Sequence, residues 1–104
     1  LGACASHSTI GIPPQEEFLL GERAKGSYQV SLQNLSDKQI FIKTKDRESG
    51  ALLRELSLAP QAKTNLRISR QEFVVLQNVH KNQVKVKARL SKSVEGMRYQ
   101  PTSK

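Results

Sequence analysis

Apolar side chains recur at every second position through much of this chain, which is the period of a half-buried β-strand. Val84, Val86, Ala88 and Leu90 point one way while Lys85, Lys87 and Arg89 point the other. Tyr28, Val30 and Leu32 alternate in the same manner with Gln29, Ser31 and Gln33. Asn34 to Lys38 supplies turn chemistry, and Gln39 to Lys45 resumes with Ile40, Phe41 and Ile42. These two runs read as one β-hairpin. Ala51 to Leu58 and Asn65 to Ser69 read as further strands. Leu52, Leu53 and Leu56 also fit helical spacing, but Leu56 and Leu58 alternate and Pro60 closes the segment. Glu72 to Asn78 is a continuous apolar run, consistent with a strand buried on both sides or beside a bulge. Gln15 to Leu20 reads as a short edge strand or turn, and Ser93 to Lys104 as a loop or short edge strand followed by a tail.

Turn signals punctuate these runs about every ten residues. Lys45 to Gly50 is a polar tip in which Gly50 can take a positive φ. The expected architecture is all-β: six to seven strands in an antiparallel β-sandwich. Residues 1–14 form a tether, 15–93 the sandwich, and 94–104 a C-terminal loop or tail. Neither an internal repeat nor a low-complexity segment is expected. The step from Leu58-Ala59-Pro60 to Leu66-x-Ile68 resembles the loop-then-strand step of bacterial immunoglobulin-like modules. That resemblance implies an immunoglobulin-like strand order. The Trp and the Cys pair of antibody domains are missing from the sequence.

Charge changes the picture. The formal net charge is +8, with 17 Lys and Arg against 9 Asp and Glu. The excess falls after residue 60, where ten basic residues meet two acidic ones. Lys85, Lys87 and Arg89 form a basic ladder on one strand, with Lys63, Arg67, Arg70 and Lys81 in nearby segments. Either this is a solvated sheet face, or it is a platform for an anionic partner.

The first residues, Leu1-Gly2-Ala3-Cys4, resemble the lipobox that ends a bacterial lipoprotein signal. The resemblance implies that Cys4 is acylated and anchors the domain to the cell envelope. Ala5, in place of the Asp that retains such proteins at the inner membrane, implies the outer membrane. Cys4 is the single cysteine, so an intramolecular disulfide is excluded. No apolar run approaches the roughly 18 residues of a membrane-spanning helix.

Candidate catalytic chemistry is thin. The two histidines are His7, in the presumed tether, and His80, in a presumed turn. The Cys4-x-x-His7 pair is a poor metal site, and no zinc-ligand spacing occurs. Asp46 and Glu48 read as a polar hairpin tip. Gly21 and Gly26 have the spacing of a phosphate loop, but Ser27 stands where its Lys should be. The sequence therefore predicts a binding or adaptor module, with no catalytic residues and no cofactor. Expected partners are an envelope protein or glycan, or an anionic lipid surface. The alternative is an intracellular nucleic-acid-binding β-domain. That reading rests on charge alone, because few aromatics interleave with the basic residues.

Overall fold

A computed structural model describes residues 6–24, 26–91 and 97–101. Nine strands lie in the described residues. They are β1 (Ser6–Ile12), β2 (Glu16–Leu20), β3 (Tyr28–Asn34), β4 (Ile40–Asp46), β5 (Leu52–Leu58), β6 (Lys63–Ile68), β7 (Glu72–Gln77), β8 (Val84–Leu90) and β9 (Arg98–Pro101). Two antiparallel sheets result, a four-stranded one ordered β1-β8-β3-β6 and a five-stranded one ordered β5-β4-β7-β2-β9.

The period-two pattern explains the core. Val84, Val86, Ala88 and Leu90 of β8 face Tyr28, Val30 and Leu32 of β3 along the inner side of the four-stranded sheet, and all are buried. Ile40 and Ile42 of β4, Val74 and Leu76 of β7, and Phe18 and Leu20 of β2 supply the opposing inner side. Burying this aliphatic surface is the main stabilising term. β7 is buried on both sides, the first of the two readings its continuous apolar run allows. β5 is almost wholly exposed at the edge of its sheet, and a register shift at Thr44 and Lys45 of β4 disturbs its pairing.

The strand order departs from the immunoglobulin arrangement. In that fold the first two strands are sheet neighbours. Here β1 pairs β8, β2 pairs β7, β3 pairs β6 and β4 pairs β5, as if one long hairpin had been rolled across two sheets. This is the jelly-roll order, built from two Greek keys. Consequently β3 and β4 do not form the expected hairpin, because Leu35 to Gln39 carries the chain from one sheet to the other. The hairpin is β4–β5, and Gly50 closes its tip with φ +77°.

Two further expectations change. The presumed tether contains β1, which pairs with β8 so that Ile10 meets Val86 and Ile12 meets Val84. Its small polar residues hid the alternation, leaving Ile10 and Ile12 as the sole apolar signal. β2 is an interior strand between β7 and β9, not an edge. The short edge strand expected between Ser93 and Lys104 is β9, which closes the sheet beside β2, and its Tyr99 packs edge-on against Phe18 with ring centres 4.9 Å apart.

The chain also carries an internal repeat. Leu32-Gln33-Asn34 recurs as Leu76-Gln77-Asn78, and Pro14-Gln15 recurs as Pro60-Gln61. Replacing each of β1–β4 by its counterpart in β5–β8, and the reverse, converts the order β1-β8-β3-β6 into β5-β4-β7-β2. The hydrogen bonds repeat as well. Asn34 Oδ1 accepts from the Ser36 amide, and Asn78 Oδ1 accepts from the His80 amide. Asn34 Nδ2 donates to the carbonyls of Lys38 and Leu58, and Asn78 Nδ2 to those of Asn82 and Ile12. Gln61 Nε2 donates to the carbonyls of Leu35 and Ser36, while Gln15 Nε2 donates to those of Val79 and His80. Gln15 and Gln61 both have positive φ, at 63° and 66°. Each buried Asn thus ties a sheet-to-sheet crossover to the turn preceding another strand, once per half.

Candidate functional site: a basic face on the four-stranded sheet

Inward placement of the apolar set obliges the alternate residues of β3, β6 and β8 to face outward. Lys85, Lys87 and Arg89 are exposed along β8. Lys63, Asn65 and Arg67 are exposed along β6. Between them β3 presents Gln29, Ser31 and Gln33. The register aligns these in rows. Lys87 stands beside Gln33, which stands beside Lys63, and Arg89 stands beside Ser31, which stands beside Asn65. Gln29 lies opposite Arg67. Thr9 of β1 extends the first row beyond Lys87.

The short, uncharged floor and long basic walls make a trough. A depression of about 310 Å³ is lined by Ser31, Gln33, Lys63, Asn65, Lys87 and Arg89, together with Leu32. A second depression of about 410 Å³ adjoins it through Ser31 and Asn65 and runs on to Gln29 and Arg67. The Ser31 hydroxyl donates to Asn65 Oδ1 at 2.5 Å, which leaves the Asn65 amide NH2 as a donor in the floor. The walls lie two strand spacings apart, about 10 Å, and successive basic residues along one wall are about 7 Å apart.

Charge is segregated between the sheets. The four strands of this sheet contain Lys63, Arg67, Lys85, Lys87 and Arg89 and not one of the chain's 9 acidic residues. The five-stranded sheet contains Lys43, Lys45, Arg54 and Arg98 against Glu16, Glu17, Asp46, Glu55 and Glu72. Both ion pairs found among the described residues, Arg54–Glu72 at 3.1 Å and Arg98–Glu22 at 2.7 Å, engage that second sheet. Glu72 shows how it neutralises its own charge. Burial would raise its carboxyl pKa, but the Ser69 amide and Arg54 help to outweigh burial and hold it below the ordinary value.

Of the residues singled out from the sequence, Lys85, Lys87, Arg89 and Arg67 therefore share one face. Lys81 does not, because it lies in the exposed loop between β7 and β8. Arg70 lies in the turn between β6 and β7. Lys63, Asn65, Ser31 and Gln33 complete the trough. Their membership depends on β6 and β8 flanking β3, a neighbourhood that local periodicity does not specify. Cys4 lies outside the described residues. His80, expected in a turn, occupies the β7–β8 loop and meets the Gln39 carbonyl through its ring Nε2 at 2.6 Å. The Asp46 carboxylate accepts from the amides of Ser49 and Glu48, which hold its pKa below the ordinary value and organise the hairpin tip. Among the described residues no three His, Cys, Asp or Glu side chains gather at one point, so no metal-ligand set is assigned.

No family model matches the sequence, and no curated protein matches it. Solved structures do share the fold. PirA is 9% identical with a TM-score of 0.62, over 81% of this chain and 92% of that one. The mitogen from Yersinia pseudotuberculosis is 8% identical with a TM-score of 0.58, over 88% of each chain. The Bacillus subtilis oxalate decarboxylase, a protein with Mn(II) centres, is 5% identical with a TM-score of 0.61, over 91% of this chain and 23% of that one. Identities this low establish a common fold and nothing more.

Proposed function

We propose that this domain is a non-catalytic binding module of the bacterial cell envelope, held by a lipid anchor on Cys4, which docks an anionic partner on the outward face of its four-stranded sheet. The segregation of charge carries the reading. Five basic side chains share one face whose strands contain no carboxylate, while the other sheet balances its charges. Like charges this close repel one another, so a partner that neutralises them gains what the free domain loses.

The lipobox-like start supports the location. One residue, Ala5, separates Cys4 from β1, and β1 borders β8 directly. An acylated Cys4 would then hold the basic sheet close to the membrane without an intervening tether, and two or more acyl chains hold firmly. The nucleic-acid alternative has less support. Tyr28, Phe18 and Phe73 are buried, and Phe41 and Tyr99 belong to the other sheet. The basic face thus offers bases no aromatic platform.

Replacing Lys85, Lys87 and Arg89 together with Gln tests the docking face. The melting temperature should stay nearly unchanged, because exposed charges contribute little to stability. Affinity for a sulfated oligosaccharide at low salt should fall about tenfold or more. Undiminished affinity in a folded variant removes the proposal. For the anchor, mass analysis of the Cys4 peptide from the bacterially expressed precursor should show acylation, and Cys4→Ser should release the domain to the soluble fraction. An unmodified Cys4 rejects the anchor and leaves the docking face to stand or fall separately.

A further inference from the structure

We infer that the anionic partner is a single strand of acidic polysaccharide lying along β3 between the two basic walls, an inference that rests on the docking face proposed above. The shape supports a strand and not a surface. The cations stand on β8 and β6 while the strand between them carries short or neutral side chains, so the positive charge brackets a depression. A flat bilayer would meet the tips of the walls and leave the floor unused. The walls are about 10 Å apart, which admits one extended polymer but not a nucleic-acid duplex.

The chemistry of the lining supports a sugar. Gln33, Ser31, Asn65 and Gln29 are neutral hydrogen-bonding groups that can serve both as donor and as acceptor, which is what hydroxyl groups require. The Asn65 amide is fixed by Ser31 and keeps its NH2 for a ligand oxygen. Lys87 and Arg89 on one wall and Lys63 and Arg67 on the other would receive carboxylate or sulfate groups in charge-assisted bonds. A protein partner is less suited, because interface centres are enriched in aromatic and Met side chains and depleted in Lys. The outward positions of β3, β6 and β8 carry neither aromatics nor Met.

Filling the trough with an added cation separates the two levels of the proposal. Ser31→Arg raises the positive charge while occupying the floor, and Gln33→Arg repeats the test should Ser31→Arg fail to fold. With a short heparin-derived oligosaccharide as probe, either variant should weaken binding about tenfold despite the gain in charge. Oligothymidylate and phosphatidylglycerol vesicles should bind the native chain more weakly than the oligosaccharide. If Ser31→Arg and Gln33→Arg bind the oligosaccharide equally or more tightly, while Lys87→Gln and Arg89→Gln still weaken it, the docking face stands and the trough does not. If none of the four variants changes binding, both fall. If oligothymidylate or the vesicles bind more tightly than the oligosaccharide, the polysaccharide is the wrong class of partner.

Discussion

Gly21→Ala tests the packing at the point where β2 leaves the core. Gly21 has φ +82°, a left-handed conformation that an L-residue adopts at a cost of about 1–2 kcal/mol. A Cβ built there would stand 2.1 Å from the Tyr28 hydroxyl and 3.0 Å from its ring carbon. Tyr28 is 3% exposed and donates to the Leu20 carbonyl at 3.4 Å, so the ring has little room to withdraw. Its burial also pushes the phenol pKa up to about 12. Overpacking of this kind costs about 1–3 kcal/mol. Together the two effects predict a loss of about 2–5 kcal/mol, or a melting point lower by roughly 10–20 °C for a domain of this size.

Two controls isolate the parts. Gly50 has φ +77° but nothing within 4 Å of its would-be Cβ, so Gly50→Ala should show the backbone cost alone, about 1 kcal/mol. Tyr28→Phe removes the oxygen that collides, so in that background Gly21→Ala should cost less. Urea denaturation of the four-member cycle should give a coupling of about 1 kcal/mol or more between positions 21 and 28. Additive costs, or a Gly21→Ala loss no larger than that of Gly50→Ala, would show that the ring does not occupy the space assigned to it.

Val86→Asp should unfold the domain, because Val86 is 0% exposed between Ile10 and Asn34 and a carboxylate there has no partner. A native circular-dichroism spectrum at 25 °C would show the strand to be inside out. Stability should fall on acidification, since Glu72 and Asp46 have lowered folded-state pKa values. Their contribution is present above the ordinary carboxylate range and is lost as pH drops through the folded values. Glu72→Gln should flatten part of that acid slope in chemical denaturation, and an unchanged slope would count against the Ser69–Glu72–Arg54 arrangement. Asn34→Ala and Asn78→Ala should cost similar amounts, about 2–4 kcal/mol each, because each strips the same set of buried bonds. A neutral result at either position would break the equivalence of the two crossovers.

The sequence makes the strands legible where one side of a strand is dry and the other wet. β3 and β8 alternate cleanly because each lies inside a sheet with one solvated face. β7 reads as doubly buried because its outward residues Phe73 and Val75 join Leu19 in a second buried apolar cluster. β1 escaped because five of its seven residues are small or polar and its apolar content is confined to Ile10 and Ile12. Strand order escaped for a different reason. Turn-like residues at Asn34 to Lys38 fit a hairpin and a sheet-to-sheet crossover equally well, and what decides between them is the long-range clamp of Asn34 on Leu58 and of Gln61 on Leu35 and Ser36. Three of the site's basic residues were legible from the β8 alternation. The floor was not, because Ser31 and Asn65 become neighbours through a pairing between strands some thirty residues apart.

The repeat turns the second sheet into a control for the first. Equivalent positions can be read off the recurring motifs. Gln29, Ser31 and Gln33 correspond to Phe73, Val75 and Gln77, and across the strand pairing Lys87 and Arg89 take the places that Phe41 and Lys43 take on the other sheet. Lys63 and Asn65 correspond to Glu17 and Leu19. One fold thus sets the same surface problem twice and receives two answers. On the five-stranded sheet the outward centre is apolar, and Glu17 is bridged by Gln77 and Gln100 beside it. On the four-stranded sheet it is polar and walled by cations. Solubility alone asks for neither arrangement, since interspersed charges of both signs serve it better than a single-sign field. Nor does the fold require a basic face, because its other half packs without one. Under the proposed reading, what distinguishes the four-stranded sheet is a demand from outside the domain, and the hydrogen-bonding floor between positive walls would answer a hydroxylated polyanion.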